Sequence, residues 1–248
     1  MKLIGVDVGF STTRDTTAIA WLDSDQCRVE RAGTTWESRE AKLPRNLRPS
    51  VIALDGPLLP EGADEHIRRL CETVFIHAPF HKRCKPGLGH WGLGLELRRV
   101  SAEACAQLSR VLMSSSLESR NAVYRGGLMV EPFPNAFLGV LTPEDELLSA
   151  PKLRRGRRFD WLYERIATTG RLESVLSQSL DKPGDFWSRL RTDKDHERRA
   201  ALICLLTAAL AAQGTATMVG ESTGGWSGIF GVATKVSRFQ MICRTRGM

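Results

Sequence analysis

The amino-acid sequence predicts an α/β fold in which a mixed β-sheet is flanked by helices. Three short β-type runs, joined by short polar loops, occupy the first 34 residues, and this spacing is typical of an antiparallel meander. A fourth run, VIAL at 51–54, is wholly apolar, as in a strand buried on both faces. Beyond it, helical and strand-like patterns alternate, which favours strands that are joined through helices.

The individual elements follow from hydrophobic periodicity and from the residues that end it. We predict strands at 3–9, 17–22, 27–34, 51–54, 128–130 and 215–219. Helices are predicted at 37–43, 61–75, from Ser101 to about 114, 135–141, 159–168, 173–180 and from Thr192 to Gly214. The chain length suits a single domain over 1–248, with an irregular insertion around 76–125.

Composition excludes several classes of protein. Hydrophobic residues make up 42% of the chain, enough for a continuous core, and a charged share of 25% excludes wholesale disorder. The longest apolar run, 200–212, is shorter than the roughly 20 residues of a membrane span, so we expect no membrane partner. Six cysteines without paired spacing, and an N-terminus without a signal-peptide pattern, predict a reducing cytoplasmic setting.

The net charge is +7 and the sequence pI is near 9.3. A basic surface attracts polyanions, so nucleic acid is the partner that we expect, although a soluble protein can also simply be basic. The residues expected to contact phosphates form two clusters: Lys82, Arg83, Lys85, Arg154, Arg155, Arg157 and Arg158. The second cluster can equally be a solvated linker over 151–158.

Two carboxylates stand beside apolar strand patterns. Asp7 interrupts LIGVDVG, and Asp55 closes the run VIALD ahead of Gly-Pro. Buried carboxylates need partners, and two of them on neighbouring strands repel unless a cation bridges them. Alternation places Asp7 on the face of Gly5 and Gly9, and Asp55 on that of Ala53, which leaves room for hydrated Mg²⁺ and a substrate. The alternative is that both acids cap turns at strand ends.

Four passages between residue 4 and about 212 give the chain a family resemblance: IGVDVGFSTTRDTTAIAWLD, VIALDGPL, VEPFPNAFLGVL and HERRAALICLLTAAL. In order and spacing they resemble a widespread uncharacterised family of predicted nucleases with a ribonuclease H-like fold. The resemblance implies a ribonuclease H-like mixed sheet, an antiparallel meander followed by parallel strands. It also implies a nuclease that hydrolyses phosphodiester bonds of DNA or RNA with two Mg²⁺ or Mn²⁺ ions.

The same resemblance assigns candidate catalytic residues. Asp7 and Asp55 match the two strand carboxylates of the family, and both are expected metal ligands. Glu131 matches the acidic residue that precedes a proline, here Pro132. The alternative for Glu131 is an exposed position at the end of a strand.

The last ligand of the family lies near the start of the final helix. Many members have an aspartate where this chain has Ala200. We therefore expect Asp195, as a third metal ligand, or His196 to complete the site, since His196 and Glu197 precede Ala200 by one turn on the same face. Asp195 can instead serve as a helix cap together with Thr192.

Two other functions compete with a nuclease. Residues 7–13 read Asp-x-Gly followed by hydroxyl residues, as in the phosphate loop of actin-like ATPases, but Asp55-Gly56 leads into Pro57 and offers no second such loop. A non-catalytic module that binds nucleic acid or protein is the other alternative, and the missing acid at Ala200 supports it.

Overall fold

The computed structural model describes residues 1–59, 62–84, 87–112, 123–124, 127–181, 183–221 and 225–230. The strands within these residues are β1 Lys2–Asp7, β2 Thr17–Asp23, β3 Gln26–Ala32, β4 Val51–Asp55, β5 Val123–Tyr124, β6 Gly127–Pro132, β7 Ala216–Glu221 and β8 Gly225–Phe230. The helices are α1 Trp36–Glu40, α2 Leu70–Ile76, α3 Phe80–Arg83, α4 Leu93–Leu108, α5 Pro134–Leu141, α6 Glu144–Leu148, α7 Arg155–Thr168, α8 Arg171–Ser179, α9 Gly184–Thr192 and α10 His196–Ala212.

The described strands form one mixed sheet in the order β3-β2-β1-β4-β6-β8-β7, with β5 paired to β6. β3, β2 and β1 are an antiparallel meander, β1, β4, β6 and β8 run parallel, and β7 is antiparallel to β8. The predicted α/β class and mixed sheet flanked by helices are confirmed.

Alternate residues of the central strands face two separate cores. The core that contains Leu3, Ala53 and Val130 packs against α5 and α7 to α10, whereas Ile4, Ile52 and Met129 pack on the other side against α4. Odd-numbered residues of β1 and β4 therefore face α10. No helix in the described ranges has the length and apolar composition that crossing a bilayer requires.

α10 is buried along most of its length and packs against β1, β2 and β4. Gly5 makes this packing close, because a Cβ added there would lie 2.1 Å from the backbone nitrogen of Leu205 and 2.5 Å from the carbonyl oxygen of Ala201. The face of α10 that carries Ala201 and Leu205 therefore crosses β1 directly.

Several predicted helix limits are wrong. The helix predicted at 61–75 begins only at Leu70, and the irregular insertion around 76–125 contains α3 and α4, although part of it lies outside the described residues. Ser101 is inside α4, where its hydroxyl donates to the carbonyl of Leu97. The helix predicted from Thr192 begins later, because Thr192 ends α9 and α10 begins after its N-cap, Asp195.

Candidate functional site

A row of four residues crosses the sheet on the face that carries α10. Asp55 is the register partner of Asp7, Asp7 is the partner of Ala18, and Ala18 is the partner of Arg31. Partners in adjacent strands project from the same face, so the two carboxylates are neighbours, as the sequence predicted. The small side chain of Ala18 separates them from the guanidinium of Arg31.

Asp7 lies in a strongly negative environment. Burial raises the pKa of Asp7 well above its ordinary value, and the charges of Asp55, Glu197 and Asp195 raise it further. Arg31 opposes this increase. The electrostatics therefore place the start of α10 beside the pair of strand carboxylates.

Arg31 connects the sheet to the start of α10. Its Nε and Nη2 lie 2.9 and 2.7 Å from Oδ2 of Asp195, and Nη2 lies 2.5 Å from Oε2 of Glu197. Its Nη1 donates to the carbonyl oxygen of Asp15 at 3.0 Å. Arg31 thus supplies positive charge to two acidic residues that would otherwise repel one another and Asp7.

Asp195 both caps α10 and binds Arg31. Its Oδ1 accepts a hydrogen bond from the backbone N–H of Arg198 at 3.0 Å. Burial raises the pKa of Asp195, but the hydrogen bonds from Arg31 and from the Arg198 amide outweigh it, so that this pKa is lower than usual. Asp195 thus caps α10 alone, and the predicted capping box with Thr192 is wrong, because Thr192 ends α9 and its hydroxyl donates to the carbonyl of Ser188. Asp195 is also near Asp7.

Sequence reasoning did not select Glu197, although it named the residue. Glu197 precedes Ala201 by four residues and Leu205 by eight, so it continues the face of α10 that crosses β1 at Gly5. Asp7 lies two residues beyond Gly5 on the same face of β1. This shared periodicity is the signal in the sequence that could have identified Glu197.

Of the two predicted alternatives, His196 contacts α7 rather than the carboxylate pair, whereas Asp195 is near Asp7. Nδ1 of His196 lies 3.1 Å from Oδ1 of Asp160, and the imidazole ring packs edge-on against Phe159 with centroids 5.0 Å apart. Both partners belong to α7, which packs beside α10. One residue along a helix turns the side chain by about 100°, so His196 and Glu197 point to different neighbours.

Glu131 is not an available catalytic acid. Arg69 donates to both of its carboxylate oxygens, through Nη1 to Oε2 at 2.5 Å and Nη2 to Oε1 at 2.8 Å, and the amide of Leu58 donates to Oε2 at 2.7 Å. The predicted alternative, an exposed strand end, is also wrong, because Glu131 is buried. Its role is to hold Arg69 and the segment after β4 against β6.

No group of three or more His, Cys, Asp or Glu side chains in the described ranges is arranged to hold a metal ion. The donor chemistry nevertheless suits a hard divalent cation, because Asp7, Asp55, Asp195 and Glu197 all offer carboxylate oxygens. Burial and then the charges of the neighbouring acids raise the pKa of Asp7, and a bound cation would relieve the repulsion among those charges. Arg31, which binds Asp195 and Glu197, is the obstacle to a complete set of ligands.

The hydroxyl-rich loop after β1 folds back on itself. The hydroxyl of Ser11 accepts from the amides of Thr13 and Arg14, at 3.3 and 3.2 Å, and the hydroxyl of Thr17 accepts from the amide of Gly9 at 3.2 Å. In this loop, which resembles the phosphate loop of actin-like ATPases in sequence, the hydroxyls of Ser11 and Thr17 therefore bind backbone amides of the loop itself.

The predicted basic residues divide into three groups. Lys82, Arg154 and Arg157 are exposed. Arg83 donates to the carbonyls of Gly139 and Thr142, and buried Arg158 donates to those of Lys82 and Arg83. Arg158 is therefore structural rather than a phosphate contact, and it joins the two clusters. Lys85 and the side chain of Arg155 lie outside the described part of the structure.

The exposed arginines lie next to the start of α10. A Cβ on Gly156, between the two clustered pairs of arginines, would lie 3.7 Å from Cε1 of His196. His196 adjoins both Asp195 and Glu197 in the chain. Gly156, and with it the arginine-rich start of α7, is therefore close to the start of α10.

A cleft of about 560 Å³ opens where the parallel strands end. Asp55, Gly56 and Pro57 line it after β4, Phe133 lines it after β6, and Phe10 lines it beyond β1. Ligands of open α/β sheets bind outside the carboxyl ends of the strands, which is the position of this cleft.

Comparison of the chain with protein-family models, with curated proteins and with solved structures found no match.

Proposed function

We propose that the protein is a metal-dependent nuclease with a ribonuclease H-like fold, which hydrolyses phosphodiester bonds of DNA or RNA. The observation that carries the proposal is the register pair of Asp7 and Asp55, with Glu197 beside it and exposed arginines next to the same helix start. The antiparallel meander and the parallel strands that follow support the fold assignment.

Asp7 and Asp55 would hold Mg²⁺ or Mn²⁺, because both are carboxylates fixed on paired central strands. Glu197 would be the third ligand once it is released from Arg31, and Asp195 is the alternative to Glu197. A bound divalent ion polarises a phosphoryl oxygen and makes a hydroxide nucleophile available at neutral pH. Arg154, Arg157 and Lys82 would hold the substrate backbone beside this site. We also propose a cytoplasmic location, which the buried thiols of Cys27, Cys71 and Cys204 support.

The direct experiment measures cleavage of fluorescein-labelled single-stranded, duplex and branched DNA and RNA in Mn²⁺ or Mg²⁺. We expect cleavage by the parent protein and none in EDTA. Asp55→Asn should reduce the rate by at least about 100-fold, since it removes a metal ligand.

Asp23→Asn is the matched control, because Asp23 lies at the end of β2 opposite to Ala18, the register partner of Asp7, and forms an ion pair with Lys2. It should cleave like the parent. If Asp55→Asn and the parent show equal metal-dependent activity, the proposed site is refuted. Such activity would come from another site or from a contaminating nuclease, which a substitution in this protein does not affect.

The second candidate function is a non-catalytic module that binds nucleic acid. The salt bridges of Arg31 to Asp195 and Glu197 favour it, because an arginine already neutralises two of the acidic residues. Salt-sensitive binding of oligonucleotides without cleavage of any substrate in Mg²⁺ or Mn²⁺ would identify this function. Binding of ATP, measured in the same preparations, would instead support the actin-like alternative.

A further inference from the structure

The cleft beside Asp55 is lined by apolar side chains that are exposed to solvent. Phe10 is 40% exposed, Trp91 is 64% exposed and Leu93 is 75% exposed. These are three of the five large hydrophobic side chains that are exposed in the described residues, and all three line this cleft. Exposed apolar side chains that gather in one concave surface indicate a binding site rather than scattered surface residues.

The charged groups of the cleft already have partners. Arg69 is the one cationic side chain among the described lining residues, and it is engaged by Glu131 and Glu72. Glu72 also accepts from Arg98 at 2.8 Å. The lining therefore offers no uncommitted positive charge for a phosphate, and a neutral ring suits it better.

Part of the cleft is lined by the glycine-rich segment 87–94. Gly89 packs so closely that an added Cβ would lie 2.5 Å from Oε1 of Glu72, and one on Gly94 would lie 1.8 Å from the carbonyl oxygen of Leu88. Gly92 has a φ of +56°, which favours glycine, and it separates Trp91 from Leu93. The backbone thus fixes the two exposed side chains at the mouth of the cleft.

We propose that this cleft binds one unpaired nucleobase of the substrate, stacked on Trp91 or Phe10, while the adjoining phosphodiester lies at Asp55. The volume of about 560 Å³ is in the range of small-ligand sites. A base within a duplex is stacked on both faces and cannot enter, so the substrate class is single-stranded or locally unpaired nucleic acid. This inference rests on the proposed nuclease function for the position of the phosphate.

The test measures fluorescence anisotropy of a short fluorescein-labelled single strand and of the corresponding duplex, both in EDTA so that no cleavage occurs. We expect Trp91→Ala to weaken single-strand binding about tenfold, the effect of losing one stacked base. Trp91→Phe should stay within about threefold of the parent, because an aromatic face remains. Duplex binding should be the same in all three proteins.

Leu148→Ala is the control, because Leu148 is as exposed as Leu93 but does not line the cleft. Equal single-strand affinity of Trp91→Ala and the parent, or an equal loss for single strand and duplex, would overturn the inference. The nuclease proposal would then still stand if the parent cleaves and Asp55→Asn does not. Conversely, loss of single-strand binding in Trp91→Ala, with no cleavage by the parent, would retain the base site and refute the nuclease.

Discussion

Charge balance among a few residues determines the properties of the site. Asp7 lies among Asp55, Asp195 and Glu197, and Arg31 offsets part of the resulting repulsion. Like charges in a partly buried place cost stability, and such costs are typical of functional sites rather than of structural ones. Substitutions at these residues should therefore change both the stability of the protein and its affinity for metal ions.

Asp7→Asn should stabilise the metal-free protein while abolishing metal-dependent cleavage. The pKa of Asp7 is raised in the folded state, so its ionised form opposes folding at neutral pH. We expect a higher free energy of unfolding at pH 7, because asparagine removes the charge that burial and the neighbouring acids disfavour. The gain should vanish below the unfolded pKa, where Asp7 is protonated in both states. Urea unfolding at several pH values measures this, and a less stable variant at pH 7 would contradict it.

Arg31→Met should increase the affinity for Mn²⁺ by about tenfold, because it removes a competing cation while retaining the apolar stem. Arg28→Met is the control, since Arg28 is exposed on the same strand but pairs with Trp21 on the opposite face. Calorimetric titration of each protein with Mn²⁺ gives the comparison. Weaker Mn²⁺ binding in Arg31→Met would mean that Arg31 positions ligands instead of competing with the metal.

The sequence predicted the strand acids but not the partners that the fold gives to other charged residues. Asp7 and Asp55 were recognised because an acid is unusual beside an apolar strand run. The partners of Glu131 and His196, which are Arg69 and Asp160, are distant in the chain, and no local pattern indicates such pairs. Glu197 was not selected because the sequence placed His196 and Glu197 together on the face of Ala200, and no local signal distinguishes the two.

At the scale of elements, the contact between α10 and β1 determines whether Glu197 reaches Asp7. Gly5 permits this contact, because its missing side chain lets the backbone of α10 approach the strand. α10 is apolar on all sides and is buried by the sheet and by neighbouring helices, as expected for a central helix. Its start is further fixed to α7 by Arg199, which donates to Glu164 at 3.0 Å.

Gly5→Ala should destabilise the protein by about 3 kcal/mol and should weaken metal binding. The added Cβ would meet the backbone of Ala201 and Leu205 rather than a flexible side chain, so the helix itself must shift. Gly156→Ala is a matched control, because its Cβ meets nothing closer than 3.7 Å and alanine favours the helix. Thermal unfolding of both variants tests this, and equal melting temperatures for Gly5→Ala and the parent would contradict the close packing.

The limits of the helices show which local signals fail. Ser101 is a preferred N-cap residue, yet it lies within α4, where its hydroxyl bonds to the preceding turn and its small side chain fits against Gly56. Thr192 and Asp195 are both good capping residues, but Thr192 ends α9 and only Asp195 caps α10. Tertiary packing selects among residues that local propensity treats alike.

At the scale of the molecule, the chain carries a net charge of +7, but its predicted basic clusters are not uniformly exposed. Lys82, Arg154 and Arg157 are exposed, whereas Arg158 donates to backbone carbonyls. Only the exposed group can exchange its counterions for phosphates, so a smaller number of contacts is expected than the sequence suggested.

Binding of nucleic acid should weaken as the salt concentration rises, with a slope that is set by the exposed basic residues. Each phosphate contact contributes a log–log slope of about −0.7 to −0.9, so Arg154→Gln combined with Arg157→Gln should make the slope less steep by about 1.4 to 1.8. Arg45→Gln, an exposed change between α1 and β4, serves as the control. Anisotropy measured across a salt series gives the slopes, and identical slopes for the double variant and the parent would exclude this surface.

The position of Arg31 in the sheet has a mechanical consequence. β3 is an edge strand, hydrogen-bonded to β2 alone among the described strands, whereas β1 and β4 each have a strand on both sides. Edge strands open locally at lower free energy than central ones. Asp7 and Asp55 are thus carried by central strands, whereas Arg31 is carried by the edge strand β3. Local opening of β3 would separate Arg31 from Asp195 and Glu197 while the spacing of Asp7 and Asp55 stayed unchanged.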